Sequence, residues 1–231
     1  MNLGPIRERA SEHYVSPAYR EAADQLAELL QSRRSVLRKT HIALDLEGVL
    51  ASNKLVGLDV DRLDRLRRPL AQELLDTLSS LCEKLTIWTA ANRGGGRKII
   101  GSARLTLPQA PDYVNRGMYM MQIYRNSPEL ADLLLALENN EIQLPEGTPE
   151  EVTIHIGSVG VKIAQVLGVD HLFDDNAVLH RAACETLGLS GDAASLVDVE
   201  AFTLSSEAEV RGHYEERGLL KVVKKFVDQI G

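Results

Sequence analysis

An α/β fold, with a parallel sheet of about five strands sandwiched between helices in three layers, is what this sequence predicts. Three observations predict it. Short apolar runs with strand character alternate with segments of helical periodicity, the order that builds a parallel sheet covered on both faces. The run "IALDL" (42–46) reads as a strand buried on both faces, and "LTIWT" (85–89) is β-branched and aromatic. The chain has 231 residues, 44% hydrophobic and 26% charged, which suffices for a substantial core in an ordinary soluble protein.

The elements follow in order. Residues 17–38 set Tyr19, Ala22, Ala23, Leu26, Leu29 and Leu30 at helical spacing, an amphipathic helix ahead of the first strand. Residues 1–40 thus form a helical extension, which packs on the core or serves a dimer, and 41–231 form the α/β domain. After strand 42–46, a helix is expected to open at Pro69 and turn Leu70, Leu74, Leu78 and Leu81 inward. Strand 85–89 comes next. Further strands are expected at 152–156 ("VTIHI"), 171–175 ("HLFDD") and 195–202 ("SLVDVEAF"), with a short helix "VKIAQVLG" between the first two. The chain closes with one helix whose start carries a capping box, Ser206 as cap and Glu209 three residues on. Residues 94–150 form the least patterned stretch, with "GGGRK", several prolines and a helix candidate at 127–140; they are read as a small insertion or lid.

Composition excludes several functions. A net charge of −7 argues against nonspecific binding to nucleic acid or anionic membranes, although local cations still allow a phosphorylated substrate. The two cysteines, Cys82 and Cys184, lie in apolar helical contexts and read as buried thiols in a reducing cytoplasm. The N-terminus shows no apolar signal core and no run is long enough to span a membrane, so a cytoplasmic location is expected.

Ligands of open parallel sheets bind outside the carboxyl ends of the strands, so the residues standing there are the candidates. The first strand delivers Asp45 and Glu47, and the second Thr89 followed by Asn92 and Arg93. The third leads to Lys162 at a helix start, and the fourth delivers Asp174 and Asp175. Clustered carboxylates repel one another, and a hard divalent cation such as Mg2+ is the natural remedy. One carboxylate could attack phosphorus while a second acid handles protons, and a lysine and a hydroxyl could neutralise the phosphoryl oxygens.

In this order, Asp then Thr then Lys then Asp-Asp, the chain resembles the haloacid dehalogenase superfamily, most of whose members are Mg2+-dependent phosphatases or phosphotransferases. "IALDLEGVL" is similar to its first motif, "LTIWTA" to its second, Lys162 to its third and "HLFDDN" to its fourth, over roughly residues 40–190. The resemblance implies Asp45 as nucleophile and Glu47 as acid/base. It implies Asp45, the backbone carbonyl of Glu47, and Asp174 or Asp175 at the metal, with Thr89 and Lys162 on the phosphoryl group. Gly48, Ala90, Asn92 and Arg93 are the accompanying phosphate- or substrate-binding candidates. Receiver domains use similar residues in another order, with the acidic pair first and the lysine last.

Glu47 departs from the aspartate of the family pattern. One extra methylene moves its carboxyl by over ~1 Å, a scale to which catalytic geometry is sensitive. Three outcomes are open: an active site with an adjusted backbone, as "DLEGVL"-type sequences of the phosphoserine phosphatase-like branch suggest; a site slow in one half-reaction, favouring transfer or a persistent phosphoenzyme; or a module that only binds a phospho-ligand or a protein partner. Only residues 46–88 separate Asp45 from Thr89, which leaves little or no room for a cap at that point. "RRPLAQELLDTLSSLCEKLTIWTA" also resembles the capless branch containing RNA polymerase C-terminal-domain phosphatases. The expected partner is a phosphorylated small molecule or phosphoprotein, with a homodimer left open. The remaining features read as structural. "NRGGGRK" (92–98) fits no P-loop and is either a cationic phosphate nest or a solvated loop. "DVDRLDRLRR" (59–68) reads as a salt-bridged exposed face, "MYMMQIY" (118–124) as core, and His155 and His171 as core histidines.

Overall fold

The computed structural model describes residues 3–53, 55, 57–58, 61, 63–89, 93–107, 112–115, 169–177, 180–181, 196–212 and 217–231. Five strands, β1 (His41–Leu44), β2 (Lys84–Thr89), β3 (Asp112–Asn115), β4 (His171–Asp174) and β5 (Leu196–Asp198), pair in the order β3-β2-β1-β4-β5, every pair parallel. Four lie where the sequence places strands. β3 was not expected, since "DYVN" is four residues flanked by Asp and Asn and carries no strand periodicity. The expected strand 152–156, the helix candidates 127–140 and 161–168, the 118–124 run, His155 and Cys184 all lie outside the described residues.

β1 is central because it is the most apolar: Ile42, Ala43 and Leu44 are fully buried. The chain leaves it toward β2 and β3 on one side, then returns to add β4 and β5 on the other. The β1/β4 boundary is therefore where the strand order reverses, the crevice at which such sheets bind ligands.

Helix α2 (Pro17–Gln31) packs on α4 (Ala71–Leu81) and on α7 (Arg217–Gln229), which reach β2 and β5; together they cover one face of the sheet. Tyr19, Leu26 and Leu30 of α2 join Leu74, Leu78, Phe173 and Phe226 in one core, so the N-terminal extension belongs to the domain's packing. The helix expected over 17–38 stops at Gln31, and a short α3 (Arg34–Leu37) follows. Ser32 ends it locally by donating its hydroxyl to the Leu29 carbonyl (2.6 Å). A further helix, α1 (Gly4–His13), brings Leu3 and Ile6 against Leu55, Leu66, Leu204 and Val210.

Pro69 does not open α4. It sits in a turn, and the residue before the helix, Leu70, is left-handed (φ 66°) and fully buried. That conformation costs about 1–2 kcal/mol for a non-glycine residue, which burial of the leucine side chain offsets with about 2 kcal/mol. Tyr19 completes the cap: its hydroxyl accepts the Leu70 N–H (2.8 Å) and donates to Glu73 (2.8 Å). Burial, then the Glu73 charge, pushes the Tyr19 pKa well above its ordinary value, so the phenol stays protonated and able to donate.

At the C-terminus the structure has two helices, α6 (Glu207–Gly212) and α7, where one was expected. The capping box is displaced by one residue. Ser206 Oγ accepts the Glu209 N–H (3.1 Å) as expected, but the Glu209 carboxylate reaches back to the N–H and hydroxyl of Ser205 (2.7 and 2.6 Å). "RGGGRKIIGS" forms helix α5 (Arg93–Ser102) despite four glycines. Residues 93–98 are therefore neither a nest nor a loop; packing of Ile99 and Ala103 into the core overrides weak propensity. Burial pushes the half-buried Cys82 thiol up to about 12, an unreactive position. His171 lies edge-on to Phe226, and burial lowers its pKa, as for a core histidine. Among the described residues no helix is long and apolar enough to cross a membrane.

Candidate active site

Beyond Leu44 the chain leaves the sheet but keeps its pairing for one more residue, as the Asp45 N–H donates to the Phe173 carbonyl (2.9 Å). This places Asp45 beside Asp174 across the β1/β4 crevice. A tight turn follows, the Leu46 carbonyl accepting the N–H groups of Leu50 (3.1 Å) and Ala51 (2.9 Å). Gly48 is required there on two grounds. Its φ is +82°, and a Cβ at this position would collide with the Asp175 carboxylate.

At the end of β4, Asp174 is fully buried. Its Oδ1 accepts the Asn176 N–H (2.8 Å) and lies 3.3 Å from His180 Nε2. Through the Asn176 bond Asp174 caps the turn that follows β4. Asp175 is held by two amides: Asn53 Nδ2 donates to Oδ2 (3.1 Å) and Asn176 Nδ2 to Oδ1 (3.2 Å). Asp45, 7% exposed, Asp174 and Asp175 each present an oxygen, and all three oxygens lie within 4.8 Å of one another. Three carboxylates at that separation, two of them buried, repel one another when ionised. Carboxylate oxygens are the donors a hard divalent ion takes, so these three residues could hold one.

Glu47 behaves differently. Its carboxylate is absent from that group and is gripped by Arg65, whose Nη2 and Nε both donate to Oε1 (2.6 and 3.2 Å). Arg65 is 4% exposed and Glu47 29%. Arg65 is fixed in turn: its N–H donates to Ser102 Oγ on α5 (3.0 Å), and its Nη1 donates to the Asp64 carbonyl (3.0 Å). Arg68 holds the other end of the loop, Nη1 donating to the carbonyls of Gly48 and Glu200 (2.9 Å each). Burial lowers its pKa to about 10, against the opposing pull of Glu200 and Asp175.

The segment 59–68 is therefore not a solvated face at its C-terminal end. Arg65 and Arg68 are buried in the site's framework, and among the described residues Arg7–Asp64 (3.5 Å) is a peripheral pair of the expected kind. Thr89 stands fully buried at the carboxyl end of β2, next to β1. Ala90, Asn92, Lys162 and the side chain of Arg93 lie outside the described residues, so Asp45, Gly48, Asp174 and Asp175 form the part of the expected set that the structure brings together. Asn53, His180, Arg65 and Arg68 were missed. None carries a local signal, because each reaches a partner distant in sequence or in the following turn. No family model matches this chain, and neither does a curated protein or a solved structure.

Proposed function

We propose that this protein is a Mg2+-dependent phosphohydrolase or phosphotransferase working through an aspartyl-phosphate on Asp45, as its resemblance to the haloacid dehalogenase superfamily implies. The observation that carries the reading is the group Asp45, Asp174 and Asp175 at the β1/β4 switch point. Asp45, Asp174 and Asp175 would hold Mg2+, which when bound screens the nucleophile from the incoming phosphate.

The Asp45 carboxylate attacks phosphorus, forming the O–P bond as the ester oxygen departs with its electron pair and takes up a proton. Water then attacks phosphorus, the bond to Asp45 breaks, and carboxylate and phosphate are regenerated. Thr89 offers a hydroxyl to the phosphoryl oxygens, and Lys162 is assigned there by sequence pattern. Glu47 would occupy the acid/base position, where Arg65 donates twice to one of its oxygens and holds the carboxylate in place.

The grip of Arg65 on Glu47 also favours a second reading, in which the site is catalytically weak and holds a phospho-ligand or a protein partner. Assay against a broad panel of phosphate esters, with and without Mg2+, separates the two. Wild type should turn over with Mg2+ only, and Asp45→Asn should lose about 10³-fold or more in rate. Equal zero rates for both proteins across the panel would sink the enzyme reading. Acid-quench trapping of a hydroxylamine-labile phosphoenzyme distinguishes a slow second step from simple binding.

A further inference from the structure

A second cleft, of about 340 Å³, opens between the turn at Arg68-Pro69, residues 200–204 and the facing ends of α6 and α7. Its lining includes none of Asp45, Glu47, Thr89, Asp174 or Asp175. Pro69, Ala201, Leu204 and Leu219 make its walls apolar, and Arg68 supplies a cation.

That cation is half used. Arg68 is 5% exposed, and both of its hydrogen bonds leave from Nη1. Nη2 and Nε have no acceptor among the described residues, yet they are not sealed in protein as the unpaired Nε atoms of Arg7 and Arg67 are. Nη2 lies over the backbone of Gly218, where a Cβ would press into it at 2.5 Å; only glycine leaves the guanidinium this position at the start of α7. A guanidinium largely withdrawn from water with its Nε/Nη2 edge unspent is costly, and that edge matches two oxygens of one oxyanion. The N-terminal end of the thirteen-residue α7 adds partial positive charge to the same wall. The two acids at the cleft limit the ligand's charge. Glu209 is spent on Ser205, whereas Glu200 is exposed near Arg68 and would repel a polyanion.

We propose that this cleft binds a small molecule through a single oxyanion group, a carboxylate or a phosphate monoester, held on the free edge of Arg68. Because the same guanidinium donates to the Gly48 carbonyl, the ligand would also tighten the loop that carries Asp45. Binding itself does not depend on whether Asp45 turns over.

The test is calorimetric titration of the full chain in EDTA, so that no metal-borne anion binds at the acid group, with acetate and with inorganic phosphate at constant ionic strength. At least one should saturate, in the millimolar range or tighter for so small a probe. Saturation by acetate alone identifies a carboxylate ligand and by phosphate alone a phosphate ester. Arg68→Lys should weaken binding, and Gly212→Leu is the variant that spares Arg68. Gly212 lines the cleft and an added Cβ there meets no atom within 4 Å, so leucine fills open space without disturbing the fold. Gly212→Leu should weaken the saturating anion by about fivefold or more. Absence of saturation by both anions, or a smaller loss in folded Gly212→Leu, overturns the proposal.

Discussion

Asp45 and Glu47 are two residues apart in one loop, yet their charges are handled in opposite ways. Asp45 is buried with Asp174 and Asp175 and faces two more negative charges; Glu47 is part-exposed and answered by Arg65. Glu47 is held by a cation of the chain itself, whereas three carboxylate oxygens within 4.8 Å of one another could hold a cation from outside.

The acid group is where this contrast breaks most severely. Asp174→Asn removes the deepest of the three charges, and the Mg2+ concentration that half-stabilises the protein in thermal unfolding, or half-activates the proposed phosphatase reaction, should rise about 100-fold or more. The same substitution should slightly stabilise the metal-free protein, because repulsion falls. If it leaves the Mg2+ midpoint unmoved, the group is not the metal site.

Arg65→Met tests the other half. It strands a part-buried Glu47 without its cation and should cost about 2–3 kcal/mol in denaturant unfolding, while Arg65→Lys should recover part of this. Gly48→Ala should cost about 2 kcal/mol from strain at positive φ and displacement of Asp175, and it should weaken Mg2+ response without touching a ligand.

The smallest effect lies away from the site. Burial lowers the pKa of His171 in the folded protein, with Asp170 opposing, so the unfolded chain takes up the proton first as pH falls. His171 therefore favours folding above its ordinary pKa near 6.5, and that contribution is lost as pH falls toward the folded value. As pH falls below about 6.5, the unfolding midpoint of wild type should fall more steeply than that of His171→Gln.

Much of the site's negative half was legible along the chain. Strand ends can be read from short apolar runs, and Asp45, Thr89 and Asp174-Asp175 each stand where such a run stops. The positive half was not. "DVDRLDRLRR" alternates acids and bases as an exposed face does, and nothing local reveals that Arg68 reaches the Glu200 carbonyl, 132 residues away, or that Arg65 turns inward to Glu47. β3 was equally hidden, because four residues carry too little pattern and register with β2 is what makes them a strand. The turn at Pro69-Leu70 depended on Tyr19, 51 residues earlier, to supply the missing cap.

By itself, then, the sequence determined the alternation of strands and helices, the buried centre of the sheet and the acids at its strand ends, since these follow from local hydrophobic pattern. Tertiary structure alone decided which charges would be answered. Desolvation and hydrogen bonding depend on neighbours in space, and those neighbours come from distant parts of the chain.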